Sequence, residues 1–376
     1  MIWQQRKSMV LKNATLHIGN GEVLQGDMKI EDGKITEIGK SLSGGEVQDM
    51  TGKDIFPGFI DSGNFLGTQD MAYFAKDYNE NSSPVTPYLD IWHSLDPDEL
   101  SLQEFYKAGI TSTVVTPGNE GLLGGTCAVV KTVGKNINKI TVRRDVALKA
   151  SFTSEVIRVF QNKGGPKTPM AMADALKTAL SQTEYTSDYR GQRTKEVMDA
   201  VRSGRMPVLA ACENVSEIER FFDVTKSYPD MKIILTLSYE ADRAEKSIKE
   251  RNAAVVLGDT SRSSLQMAHK TNFAKLVDMA ESGTKFGLTV LGTDMAWGKE
   301  MLLWTASKLM QTCKSSETIV SMLTANPAEL FGVSDRIGLL KAGLDADYVV
   351  YEGDPVKKCG ARLLETVING ETVYQA

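Results

Sequence analysis

Short apolar runs, each bounded by glycine or polar residues, punctuate the middle of the sequence: "TSTVVTPG", "PVLAAC", "KIILTLS", "AAVVLGD" and "GLTVLGTD". Runs of this length and β-branched content suit strands buried on both faces, as in a parallel sheet. Helical patterns separate them. Asp96-Pro97 supplies an N-cap acceptor and a first-turn proline for a helix running through Phe105. "TKEVMDAVRSG" stops at Gly204, a C-terminal cap signal. "VSEIERFFDVTKSY", "YEADRAEKSIKERN" and "SLQMAHKTNFAKLVDMAESG" follow. Alternating β and α units over this span predict an α/β fold, a (β/α)8 TIM-like barrel, with an open doubly wound sheet as the other solution.

The two ends read differently. "VLKNATLHI" and "DMKIEDGKITEIG" alternate apolar and polar residues, and Glu31–Lys34 is a hairpin signal. "DADYVVYEGDP" and "LLETVINGETVYQ" repeat that character near the C-terminus, with "NGE" as another turn. The expectation is a small β-sandwich domain built from both termini, residues 8–56 plus 336–376, around a barrel of residues 57–335.

Composition removes several classes of function. Lysine plus arginine number 43 and aspartate plus glutamate 48, a net charge of -5 with no basic block, so a nucleic-acid partner has no electrostatic support. No apolar run is long enough to span a bilayer, and "MIWQQRKSMV" has no apolar stretch behind it. Four scattered cysteines without a CxxC pair suit reduced thiols and a cytoplasmic location. Only three histidines occur, His17, His93 and His269, none within five residues of another.

Several longer stretches carry a resemblance. "DIFPGFID" (54–61), "AGITSTVVTPGNEGLLGGTCAVVK" (108–131), "LGTDMAWG" (291–298) and "LTANPAELFGVSDRIGLLKAGLDADYVVYEGDP" (323–355) resemble the amidohydrolase superfamily. The similarity is to its imidazolonepropionase-like and prolidase-like branch. It implies the same barrel and terminal β domain, and hydrolysis of C–N bonds by water activated on zinc or another divalent metal. In such enzymes the first strand ends in His-x-His; here Gly63 and Phe65 stand there. The fifth-strand pair becomes Ala211 and Glu213, and the sixth-strand histidine becomes Leu237. Asp294 matches the last-strand aspartate, a metal ligand and proton shuttle in the family. Lys149 matches a lysine that some relatives carboxylate to bridge two metals.

These substitutions lead to the expectation of a barrel without a metal centre or cofactor. It would bind a small molecule in its mouth or a partner, without hydrolysis, with no nucleic-acid or membrane partner, and the resemblance implies a homodimer. The alternative is an active hydrolase of amide or cyclic-imide substrates using Asp294 without metal, or with one weakly held metal. Asp294 is then the candidate catalytic residue, with Glu213 and His93 as weaker ones. For each, a structural role is the competing reading: a strand-end carboxylate for Asp294, a solvated or capping residue for Glu213. Cys212 reads as a buried thiol and not as a ligand, facing away from Glu213. His17 and His269 read as structural or surface residues. The Leu122–Gly125 turn reads as a site of close backbone packing, since its spacing fits no phosphate loop.

Overall fold

The computed structural model describes residues 8–70, 75–258, 271–290, 298–358 and 360–376. The chain forms a mixed α/β fold organised around three main sheets. In the centre, Phe59–Asn64 runs parallel to Ile110–Val115, which pairs antiparallel with Ala128–Lys131 and through it with Thr141–Arg143. A six-stranded sheet follows in the order Leu123–Thr126, Leu148–Ser151, Val208–Ala211, Ile233–Thr236, Ala254–Leu257 and Phe286–Leu288. Its last five strands are mutually parallel.

The two sheets meet at both edges. Cys127 continues one strand into the next, its N–H donating to the Ala147 carbonyl at 2.8 Å while its carbonyl accepts from Val146 at 3.0 Å. At the far edge the Thr289 hydroxyl reaches Asp61 Oδ1 at 2.7 Å and the Gly63 carbonyl at 2.6 Å. No backbone ladder joins those two strands among the described residues.

Side chains alternate as strand geometry requires. Ile60, Val114, Cys127, Val129, Leu209, Ile234 and Val256 share one core with Phe331, Val333 and Ile337. Their neighbours Leu148, Ala150, Val208, Ala210, Leu235 and Val255 face the helices in another. Those helices start where the sequence offers caps. Asn214 accepts from Glu217 N–H at the head of Val215–Thr225, and Thr168 precedes Pro169 at the head of Pro169–Ser181.

Two sequence expectations are corrected. The helix forecast from Asp96-Pro97 starts later, at Leu100–Glu104, capped by Glu99 accepting from Ser101 N–H. Asp96 instead holds a turn by accepting from Asp98 N–H at 2.9 Å. And Leu122–Gly125 is not a turn: Leu123–Thr126 is a strand, antiparallel to Leu148–Ser151. The link between Val115 and Leu123 is too short for a crossover helix, so the chain must double back. The close packing does occur, since a Cβ on Gly125 would sit 2.7 Å from the Leu89 carbonyl oxygen.

Strands from both ends of the chain form one further sheet of eight. Arg362–Ile368, Glu371–Gln375 and Tyr348–Glu352 come from the C-terminal side. Asp54–Pro57, Ser8–His17, Val23–Glu31, Lys34–Gly39 and Glu46–Asp49 come from the N-terminal side. Both hairpin signals act as read. Asp32-Gly33 and Asn369-Gly370 have positive φ at both residues (48° and 77°, 51° and 74°), the tight reversal that matches strand twist.

Candidate functional site at the strand ends

Asp61 organises the end of the first central strand. Besides Thr289, it accepts from Gly63 N–H at 3.1 Å and Asn64 Nδ2 at 2.7 Å. Complete burial pushes its carboxyl up, and these donors oppose that shift. Two residues on, Gly63 has φ of +152°. A Cβ there would meet only ordinary contacts, Thr116 Cγ2 at 3.5 Å and Leu209 Cδ2 at 3.7 Å. Space is available at Gly63, but the backbone conformation suits glycine and not an imidazole-bearing residue.

Phe65 turns into an apolar cluster. Its ring stacks on Tyr78, with centroids 4.1 Å apart and planes at 7°. It packs against Ala211, Leu237 and Tyr239, which form a small core of their own. Leu237 holds a positive φ of 54°, and the Tyr239 N–H donates to its carbonyl at 2.9 Å. The structure therefore brings Phe65, Ala211 and Leu237 together, with Gly63 at the neighbouring strand end. None of the four side chains offers a lone pair to a metal. They do not fit a divalent ion, and among the described residues no group of three or more histidine, cysteine or acidic side chains could hold one.

Lys149 lies wholly buried beside this cluster's strands. Its ammonium donates to Asn119 Oδ1 at 2.6 Å and to the Ala150 carbonyl at 3.0 Å. Burial lowers its pKa to about 8, a shift that the nearby thiols of Cys127 and Cys212 only partly oppose. Those thiols are themselves pushed up by burial, Cys127 to about 12, so neither is a ready thiolate. Cys212 packs into the helix-facing core, as the alternation required. Glu213 is half-buried next to it. Its N–H donates to Glu217 Oε2 at 2.7 Å, and burial followed by the Glu217 charge raises its carboxyl.

His93 sits apart, in the short helical turn Ile91–Ser94, edge-on to Trp92 at 5.3 Å. It borders a cavity of about 810 Å³ between the 76–94 segment and the glycine-rich 117–125 segment. Tyr78, whose other face meets Phe65, also borders that cavity, so the apolar cluster and the groove share a wall. Asp294 and His269 lie outside the described residues. Sequence reasoning passed over Asp61, Asn119 and Tyr78. Asp61 stood in the open within "PGFID"; Asn119 and Tyr78 lie in loops whose partners are distant in sequence.

The C-terminal part of the chain, residues 292–374, matches the model of the amidohydrolase family Amidohydro_3. Over 98% of its length the chain superposes on all of an amidohydrolase from Thermotoga maritima MSB8, with a TM-score of 0.87 at 23% identity. The family match thus covers the C-terminal part of the chain, and the likeness over its whole length is one of fold. A prolidase complexed with N-methylphosphonate-L-proline shares the fold more distantly, at a TM-score of 0.57, 14% identity, and coverage of 98% of this chain and 100% of that one. The amidohydrolase tasK of Hapsidospora irregularis is 22% identical over 93% of this chain, which spans only 40% of that relative's length. No helix among the described residues is long and apolar enough to cross a membrane.

Proposed function

We propose that this chain is a divergent member of the superfamily in which the metal centre has been replaced and the strand ends serve to bind a small molecule without hydrolysing it. One observation carries the reading. Phe65, Ala211 and Leu237, three of the positions where the family resemblance places metal ligands, pack into one apolar cluster with Tyr239. A site that had merely lost its ion would leave a polar hollow; this one is filled with side chains that exclude water. The two central sheets, touching at both edges, are read as one closed barrel, and the sheet from both termini as a separate β domain.

The competing reading is a hydrolase of amide or cyclic-imide bonds working through Asp294, with no metal or with one weakly held. Glu213, whose carboxyl is raised, is the described group best suited to assist by donating or accepting a proton. Elemental mass spectrometry of the purified protein, after incubation with Zn²⁺ and Mn²⁺ and desalting, separates the two. Retention below about a tenth of an equivalent is expected, together with an unchanged melting temperature in the presence of either ion. An equivalent retained, or turnover of an amide or cyclic imide that Asp294→Asn abolishes, overturns the proposal.

A further inference from the structure

We infer that a second cavity, where the parallel strands begin, binds an organic phosphate, with Arg205 and Lys232 as the groups that recognise the phosphoryl oxygens. Pro207, Lys232, Ala253 and Lys285 each immediately precede one of these strands, and all four line it. Ala211 and Leu237 stand at the other ends of the same strands. The cavity is therefore remote from the apolar cluster around Phe65, and the inference does not depend on what that cluster does. Its volume, about 440 Å³, is that of an ordinary small-molecule site.

The floor is apolar. Val146, Ile234, Ala254 and Phe331 line the cavity, are themselves buried, and belong to the core enclosed by the central strands. A ring or short hydrocarbon laid on such a floor removes apolar surface from water.

The border is cationic, although the whole chain carries a net charge of -5. Four cations line it against two acids, Asp145 and Glu329. Both acids are occupied, Asp145 by Arg193 and Glu329 by Lys285. Arg143 is committed to Asp335 at 2.8 Å and to the Gly332 carbonyl. Arg205 and Lys232 remain. Arg205 donates from Nε to Ser203 Oγ at 3.0 Å, and among the described residues neither cation has an ion-pair partner. They belong to adjoining segments: a Cβ on Gly204, the residue before Arg205, would lie 3.8 Å from Lys232 Cγ. Two uncompensated cations at one edge repel each other, and a bound dianion relieves that repulsion. A guanidinium fork beside an ammonium suits phosphoryl oxygens. A phosphate monoester carries a charge of about -1.5 to -2 near pH 7 and answers both cations, whereas a carboxylate answers one.

The test titrates phenyl phosphate, inorganic phosphate, benzoate and phenol into the full chain at low ionic strength, by calorimetry and ligand-observed NMR. Phenyl phosphate is expected to bind at least tenfold more tightly than each of the other three. Arg205→Gln and Lys232→Gln, both exposed changes whose melting temperatures confirm folding, should each weaken phenyl phosphate at least tenfold and leave phenol unchanged. Lys246→Gln removes an exposed cation outside the cavity and should change nothing. Inorganic phosphate binding as tightly as phenyl phosphate overturns the role of the apolar floor, and benzoate doing so overturns the phosphate class. Insensitivity to Arg205→Gln and Lys232→Gln, an equal loss with Lys246→Gln, or no binding by phenyl phosphate overturns the site itself.

Discussion

Lys149 shows most sharply how residue-level physics diverges from family expectation. A buried ammonium with two carbonyl-type acceptors and no carboxylate is an uncompensated charge, and its depressed pKa measures that cost. Its folded pKa of about 8 lies below the 10.5 of a free lysine, so the unfolded chain binds more protons between those values. Stability therefore rises with pH across that window, and the penalty is complete below it. Lys149→Met, which keeps length and removes charge, is expected to raise the melting temperature by a few degrees at pH 7, with the gain shrinking above pH 8. Thermal unfolding across pH 6–10 checks this. A destabilised variant would show that the bond to Asn119 outweighs the desolvation. Lys149 was visible in the sequence as a family match, but its isolation was not, because Asn119 lies thirty positions away.

At the scale of elements, the strand Ala128–Lys131 is tied to the terminal sheet by charge. The Lys131 ammonium pairs with Asp347 and, at 3.1 Å, with Asp345, and all three are nearly fully buried. Lys34 and Arg336 complete the neutralisation of Asp345 at 2.5 and 2.8 Å. Lys131→Met would leave Asp347 without its cation in a dry interface. A loss of about 3–5 kcal/mol in denaturant unfolding is expected, the range for breaking one side of a buried pair. A loss below about 1 kcal/mol would mean that water or Lys34 takes over. Nothing in the sequence advertised this cluster, since Lys131 and Asp347 stand 216 positions apart. The elements themselves were far more legible, because period and turn chemistry are local. The Asp32-Gly33 and Asn369-Gly370 hairpins form as read, whereas the antiparallel course of Leu123–Thr126 follows from a loop length that no apolar pattern records.

For the whole molecule, His17 is the second tie between the terminal sheet and the central fold. Its ring stacks on Phe56 at 4.0 Å, with Nδ1 2.8 Å from Glu317 and Nε2 3.1 Å from Asp54. Burial alone would lower its pKa, but the bonds and charges of Asp54 and Glu317 outweigh that and lift it to about 9. Because the folded value exceeds the ordinary 6.5, the stabilisation is complete below pH 6.5 and disappears as pH rises through 9. It amounts to roughly 3 kcal/mol at most. His17→Gln should therefore destabilise at pH 6 and converge on the unsubstituted protein near pH 9.5, as urea unfolding at both values would show. A pH-independent difference would assign His17 a packing role only.

The sequence by itself determined the strand and helix succession, the tight hairpins and the absence of imidazoles at Gly63 and Phe65. Each of these is written in residues close together in the chain. What replaces the missing groups was decided only in the tertiary structure. Phe65, Tyr78, Ala211 and the Leu237–Tyr239 segment are distant in sequence, and they cluster because folding brings their apolar surfaces out of water at one place.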